Sequence, residues 1–498
     1  MERRPRILIV NCYSDNHHHA KGNRLFAPQT MVTGVLAGQL NPHTVDLRVW
    51  CEFKDGPYLR LPDLAWADML VLSGLNTAFD RMRHLCAYAR TVNPTICVVA
   101  GGPVVRMLPK LSRTYFDHVC TGDADELLQV VESVFGGSHH PDVVTPRFDL
   151  MDWVGPLGYA ESSKNCNFRC SFCAMTAEGR PFTAHDLAYL ERQLRPQASR
   201  HCIMMLDQNF FGGPREGVFQ RLELMRQLHE VGILKGWSAL VTGDFFKDAT
   251  LLKRFKQAGC IGFFSGVESF DATQITAFNK KQNLVVPQLE TIRQCLQAGL
   301  VFHYGLVFDL YERTLLEVQT ELDILANEPG ITMPSFLSLA IPLLGTPLFK
   351  TRLRQKALLP KLKLRDMDGR SVMTHTRDPL DAATAFARRM DKGLLPKSVL
   401  LKRAASLTWN YGRKLTPIAM TSALADVVAM AYPRLGSAGR DGFSIRKGGR
   451  SYMASTEPLG SLYQPSMAVP TRYQDHFEPL YVTDDEGALS NALADDLA

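Results

Sequence analysis

Several things that would place this 498-residue chain in an extreme class are missing from it. Charge of one sign is not in excess: 56 Lys and Arg stand against 50 Asp and Glu, a formal net charge of +6. That balance is mild for the length, and no basic run with interleaved aromatics marks a nucleic-acid binder. Long apolar runs are missing too. The nearest to a membrane span, residues 416–432, is short and carries Asp426. The opening Met1-Glu2-Arg3-Arg4-Pro5-Arg6 runs straight into an apolar stretch and lacks the apolar core of a secretion signal. Paired cysteines are lacking as well: the eleven are scattered singly apart from one group of three. An odd count without paired spacing argues for reduced thiols and a cytoplasmic setting, and against a disulfide framework.

What is there is an ordinary globular composition, 46% hydrophobic and 21% charged, long enough for two or three domains. The exceptional group is Cys166-Asn167-Phe168-Arg169-Cys170-Ser171-Phe172-Cys173. Soft thiolates spaced C-x3-C-x2-C on one loop, directly after a short apolar run, suit three irons of a [4Fe-4S] cluster and leave the fourth iron open. An open iron lets a cluster bind a small molecule as well as pass electrons. The plainer alternatives are a zinc site short of one ligand and three core thiols.

Apolar runs at residues 6–12, 45–50, 69–73 and 96–100 alternate with helical stretches at 80–90 and 123–135. This is the pattern of a doubly wound, Rossmann-like parallel sheet, whose ligands sit at the carboxyl ends of its strands. Those ends carry Ser73 and Thr77, Gly101-Gly102, and Thr121-Gly122-Asp123. Glycine there permits positive φ and close backbone approach, although tight turns without a ligand would use it equally. A linker at 136–149 follows. The alternation then restarts, with apolar runs at 157–161, 202–210, 237–242, 261–268, 300–309 and 334–341. Six strand-helix units are too few to close an eight-stranded barrel, so a partial (β/α)6 barrel is expected.

The cysteine spacing, with Phe172 before the last cysteine, resembles the cluster motif of the radical S-adenosylmethionine (SAM) superfamily. Ala100-Gly101-Gly102-Pro103 and the Thr121-Gly122-Asp123-Ala124-Asp125-Glu126 turn look like the cobalamin-binding domain that precedes many members. The resemblance implies domains at about 1–140 (cobalamin-binding), 150–350 (radical SAM barrel) and 351–498 (substrate or lid region). It implies Cys166, Cys170 and Cys173 as cluster ligands. Phe172, Asp207, Asn209, Gly266 and Glu268 are implied as SAM contacts, and Ser73, Thr77, Gly101, Gly102 and Gly122 as cobalamin contacts. Glu268 stands in Gly266-Val267-Glu268-Ser269, similar to the family element whose carboxylate takes the ribose hydroxyls; Asp207 and Asn209 would equally cap the helix that follows. Ile341-Pro342-Leu343-Leu344-Gly345-Thr346-Pro347 matches the family's turn after the sixth strand.

Two departures bear on function. The loop Asp15-Asn16-His17-His18-His19-Ala20 has Ala20 where a lower-ligand motif needs glycine, so cobalamin without a lower histidine ligand is expected. Gly305-Leu306-Val307-Phe308-Asp309 departs from the family's adenine-side turn.

Beyond residue 353 the alternation stops and a mainly helical region begins. A basic amphipathic stretch at 397–414 reads as a domain-packing helix with a solvated face in preference to a helix resting on a membrane surface. The Gly-, Ser-, Arg- and Lys-rich run 434–451 is expected to be mobile, and the acidic end from Asp484 disordered.

The resemblance implies a cobalamin-dependent radical SAM C-methyltransferase. Its substrate would be a small molecule, lipid or peptide, and its electron donor a flavodoxin or ferredoxin; no nucleic acid takes part. No general acid or base is assigned. The alternatives are a cyclase, rearrangement or dehydration enzyme of the same architecture, and a non-catalytic iron-sulfur protein. A methylthiotransferase fits less well, because no second cysteine set is apparent among Cys12, Cys51, Cys86, Cys97 and Cys120.

Overall fold

The computed structural model describes residues 3–13, 30–58, 60–151, 157–433, 453 and 463–497. The histidine-containing loop 14–22 and the run 434–451 lie outside the described residues.

The first unit is a five-stranded parallel sheet in the order β2-β1-β3-β4-β5, with β1 at Arg6–Asn11, β2 at Asp46–Cys51, β3 at Met69–Ser73, β4 at Cys97–Gly101 and β5 at His118–Val119. β3 is buried along its whole length, and β1 over all but its first residue. Helices cover both faces, which is why these strands read as unbroken apolar runs. The order reverses between β1 and β3, and a doubly wound sheet binds its ligand at such a switch point.

The second unit is a curled sheet of six parallel strands, β6 (Leu157–Ala160), β9 (Cys202–Met205), β10 (Trp237–Leu240), β11 (Cys260–Glu268), β12 (Val301–Phe308) and β13 (Phe336–Leu339), neighbouring in chain order. A two-residue hairpin, β7 (Ser163–Lys164) with β8 (Thr183–Ala184), frames the cysteine loop. Burial alternates along β9 to β13. Met205, Ala239, Phe263, Phe302 and Leu337 pack into the helix-side core, while Met204, Leu240, Phe264, His303 and Ser338 on the concave side are half-buried. Period-two burial is what a sheet shows when helices cover one face and the other lines an open lumen.

The C-terminal third serves both units. The helices Leu380–Met390, Lys397–Tyr411 and Pro417–Ala431 join the barrel core through Phe386, Met390, Leu400, Leu407, Ala419, Ala423 and Val427. In Lys397–Tyr411 the buried side is Leu400, Arg403, Leu407 and Tyr411, as a packing helix requires. The remaining chain returns to the first sheet, where Leu358, Leu362, Leu364, Phe477, Leu480, Val482 and Leu493 enter the core around the helix Phe79–Val92.

This return corrects the expectation of a disordered acidic end. Asp496 accepts hydrogen bonds from the Lys110 and Leu111 amides at 2.9 and 3.0 Å. Those amides open the helix Pro109–Tyr115, where a carboxylate is favoured by free N–H groups and the helix dipole. Together with the burial of Leu493 this outweighs the low hydrophobicity of the segment. No described helix is long and apolar enough to cross a membrane.

The return is fastened at Asp80, which is buried and accepts from Arg83 Nη2 at 2.6 Å, the Leu480 amide at 3.2 Å and the Tyr463 hydroxyl. Replacing Asp80 by Ala strands a buried guanidinium. It should cost about 3 kcal/mol, as breaking one partner of a buried pair does, seen as a lower urea midpoint. An unchanged midpoint would show that the tail is not held there.

Candidate functional site

The cysteine loop leaves β7 through Asn165, a non-glycine residue at φ 63°, and ends at Cys173, which begins the short helix Ala174–Glu178. It is strapped from two sides. Ser171 N donates to Phe278 O at 2.9 Å and Asn279 Nδ2 to Arg169 O at 2.8 Å; Leu348 N donates to Ser171 O at 2.9 Å. Two donors address the sulfurs themselves: Gln282 Nε2 lies 3.3 Å from Cys170 Sγ and Phe168 N 3.5 Å from Cys166 Sγ. Burial pushes the Cys166 and Cys173 thiols up. A metal that takes the place of the thiol protons removes that penalty. Among the described residues no three His, Cys, Asp or Glu side chains meet closely enough to share one metal ion.

Across from this loop, β11 ends on Glu268, which is 6% exposed, sits at φ 64° and follows a break in register after Gly266. A non-glycine residue held in the left-handed region is strained, and such strain persists only where its surroundings impose it. Here they do. A Cβ on Gly266 would lie 2.1 Å from Glu268 Oε1 and 2.5 Å from Lys280 Nζ, so the carboxylate folds back over a position that only glycine can occupy. Asn283 Nδ2 holds the Gly266 carbonyl at 2.7 Å.

Lys280, buried and paired with Glu268, was not legible from its neighbours in sequence. Its Nζ lies 5.9 Å from the Phe172 ring centroid, and Phe172 packs against Phe278 at 4.9 Å. Burial acts to lower the Lys280 pKa, but Glu268 and the Cys170 and Cys173 thiols outweigh it and hold the ammonium charged.

The cysteine loop also meets the carboxyl edge of the first sheet. Asp123, directly after Gly122, pairs with Arg180, with Lys164 Nζ at 3.4 Å and with Arg106 Nη2 at 3.6 Å. Arg106 further bonds Gly122 O at 2.7 Å and Glu178 at 2.8 Å, and Arg180 bonds Thr121 O. Burial raises the Asp123 carboxyl, but Lys164 and Arg180 outweigh it and keep it below the usual range. Lys164 lies two residues before Cys166, and Glu178 ends the helix that Cys173 starts.

No family model matches the chain. The hopanoid C-2 methylase of Rhodopseudomonas palustris is 23% identical over 388 residues, 71% of this chain and 69% of that protein. The radical S-adenosylmethionine methyltransferase TsrM from Kitasatospora setae, solved with cobalamin and a [4Fe-4S] cluster bound, matches with a TM-score of 0.56. Its identity is 15%, over 72% of this chain and 79% of that one. The cobalamin-dependent S-adenosylmethionine radical enzyme OxsB, with aqua-cobalamin and S-adenosylmethionine bound, gives 0.57 at 15% identity, over 85% and 70%. The chain shares the fold of these two enzymes.

Within that architecture the expected residues fall into three groups. Cys166, Cys170, Cys173, Phe172, Gly266 and Glu268 gather at the carboxyl end of the barrel around Lys280. Asn209 joins them: its Nδ2 donates to Asn167 Oδ1 in the cysteine loop at 2.9 Å, and its buried Oδ1 has no partner among the described residues. A buried acceptor without a donor fits an ammonium-bearing ligand.

Asp207 is the exception. It is fully buried, and its carboxylate accepts from the Ser162 amide and from the Ser162 and Ser163 hydroxyls. Its carboxylate is thus turned inward to hold the exit from β6.

The third group, Ser73, Thr77, Gly101, Gly102 and Gly122, shares the carboxyl edge of β3 to β5. Gly102 is at φ 96°, and a Cβ there would meet Gly74 O at 2.9 Å and Ser73 Oγ at 3.0 Å, so the β4 turn nests on the β3 turn. Bare, half-buried backbone at Gly101 and Gly102 fits the close approach of a large flat ligand.

Lys280→Met should leave the Glu268 carboxylate buried without its cation and cost about 3 kcal/mol. The double variant Lys280→Met/Glu268→Gln should recover most of that loss in urea unfolding. Additive losses would show that the two side chains do not depend on each other.

Proposed function

We propose that this chain is a cobalamin-dependent radical SAM enzyme that methylates an unactivated carbon of a small-molecule substrate. The observation that carries this reading is the joint at Asp123. It ties the segments on either side of the three-cysteine loop to the turn after Gly122 at the edge of the first sheet, which supports two cofactor sites acting on one substrate. When bound, the [4Fe-4S] cluster with SAM supplies radical removal of a hydrogen atom, and cobalamin supplies the methyl group.

The chain's own residues bind and orient. Cys166, Cys170 and Cys173 would hold the cluster, with Gln282 donating to Cys170 Sγ and Phe168 N to Cys166 Sγ. Glu268 would accept from the ribose hydroxyls, with Lys280 paired to its carboxylate. Asn209 Oδ1 receives the amino group of SAM, and Phe172 covers the adenine. Ser73, Thr77, Gly101, Gly102 and Gly122 line the corrinoid face, and no lower histidine ligand is needed. Electrons come from a flavodoxin or ferredoxin. The domain limits follow the sequence reading, about 1–140 and 150–350, with the C-terminal third divided between them. All eleven cysteines are free, which suits the cytoplasm.

An apolar substrate would be met at a membrane surface. The outer face of the helix Lys397–Tyr411 leaves Trp409 90% and Leu401 71% exposed beside Lys402. Aromatic, aliphatic and basic side chains on one face suit an anionic lipid surface. Trp409→Ala should cut cosedimentation with phosphatidylglycerol vesicles at least threefold, and equal binding by the variant would remove this contact.

The decisive experiment is anaerobic purification with cobalamin supplied, followed by iron, sulfide and corrinoid assay on one sample. About four irons and one corrinoid per chain are expected, together with transfer of a labelled SAM methyl group to product. Cys166→Ala, Cys170→Ala and Cys173→Ala should each abolish 5'-deoxyadenosine formation. A full cluster without corrinoid would overturn methyl transfer and leave a radical rearrangement or elimination. Deoxyadenosine formation retained in the cysteine variants would overturn the cluster assignment.

A further inference from the structure

The barrel lumen is lined chiefly by apolar groups: Met204, Leu240, Phe264, Val307 and Phe336. Phe336 is 41% exposed and stacks on Phe264 with ring centroids 5.8 Å apart and planes at 15°. It lies across Gly305, where a Cβ would come within 2.3 Å of the ring. Polar groups of this surface are already engaged: Ser338 Oγ donates to Leu339 O at 2.9 Å, and Thr242 Oγ1 donates to Asp244.

His303 differs from them. It alternates with the helix-side core residues Phe302 and Tyr304 and so stands on the lumen face. Both of its hydrogen bonds run through Nδ1, to Asp426 Oδ2 at 2.6 Å and Ser335 Oγ at 3.4 Å. Asp426 is 8% exposed and comes from the helix Pro417–Ala431, which packs against β11, β12 and β13. A buried carboxylate that accepts from Nδ1 fixes the ring and leaves Nε2 as its available hydrogen-bonding atom. Nε2 has no partner among the described residues.

The geometry points to His303, positioned by Asp426, as the polar anchor of an elongated, mainly apolar substrate that carries a hydroxyl or carbonyl group at one end. This rests on the proposed radical chemistry and adds the substrate class. The register supplies the length. Glu268 pairs with Leu306, three residues beyond His303. At about 3.3 Å per residue the anchor and the Glu268 level lie about 10 Å apart along the lumen. A substrate held at His303 therefore presents a carbon remote from its polar group to the SAM end of the barrel. Leu240 and Phe264 stand level with His303, and Phe336, level with Gly305, lies between His303 and the Glu268 level. Apolar contact with them holds the body beside and beyond the anchor, while the one hydrogen bond sets its direction. A site whose one free polar atom meets an oxygen of the substrate favours that substrate over the analogue that lacks it.

The test uses the full chain loaded with cluster and cobalamin, and two probes that differ by one molecule of water: the triterpene alcohol diplopterol and the hydrocarbon diploptene, in detergent. Equilibrium binding of each, radiolabelled, should show the alcohol bound at least tenfold tighter. His303→Phe should reduce that preference to twofold or less, His303→Gln should keep part of it, and Asp426→Asn should lower it. Phe336→Ala should weaken both probes alike. Circular dichroism and iron content identify any variant that has not folded.

A preference that survives His303→Phe in folded protein would overturn the anchor. Wild-type protein that binds both probes equally, or neither, would overturn the substrate class. Loss of corrinoid or cluster in protein that still prefers the alcohol would sink the radical reading and leave the anchor standing.

Discussion

One carboxylate with three cations joins the two halves of this molecule. Asp123 sits in the turn after β5 and gathers Lys164, Arg180 and Arg106, two of which belong to the segments on either side of the cysteines. Taken singly, each pair is half-exposed and would be worth little. As a network whose members also bond the Thr121 and Gly122 carbonyls, it does more than attract. It sets the direction in which the open side of the cluster loop faces. Under the proposed function two cofactors would act on one substrate and would have to keep their separation, and a bond network between the turns proposed to hold them is a short mechanical path between the sites.

The rest of the architecture stiffens that path. The chain crosses from the first sheet to the barrel once and then returns, and the returning segments enter the core around the helix Phe79–Val92. Asp80 and Arg83 bind backbone of that return directly. A single linker would let the two units hinge, since contacts between domains of one chain resemble transient interfaces unless they are large and apolar. The returning segments make this one partly a shared core. The strained Glu268 fits the same logic: a residue held in the left-handed region keeps its carboxylate aimed only if nothing around it can yield.

Much of this was legible in the sequence, because periodicity is a local signal. Continuous apolar runs marked the covered sheet, six repeats marked the open barrel, and the cysteine spacing marked the loop. What escaped notice depends on partners distant in sequence. Lys280 looks like any surface lysine until Glu268 and Phe172 close around it. Asp207 stands where a ligand contact is expected, yet it turns inward to hold Ser162 and Ser163. The acidic end has the composition of a disordered tail, and its docking becomes visible only when Asp496 meets free amides at a helix start. In each case the deciding contact pairs a residue with one that no spacing rule connects to it.

The C-terminal third then acquires a definite task. Strands β6 to β12 carry the parts that any chemistry of this kind must keep: thiolates, the Glu268 turn and the straps on the cysteine loop. The helix Pro417–Ala431 carries none of these, yet through Asp426 it orients His303 from the lumen side of the same strands. Its other contacts are apolar packing by Ala419, Ala423 and Val427. Small residues let the helix lie close to the sheet, so a change in its side chains alters the depth and polarity of the lumen without moving the strands. Selectivity for substrate can therefore change at one end of the barrel while the cofactor end stays fixed.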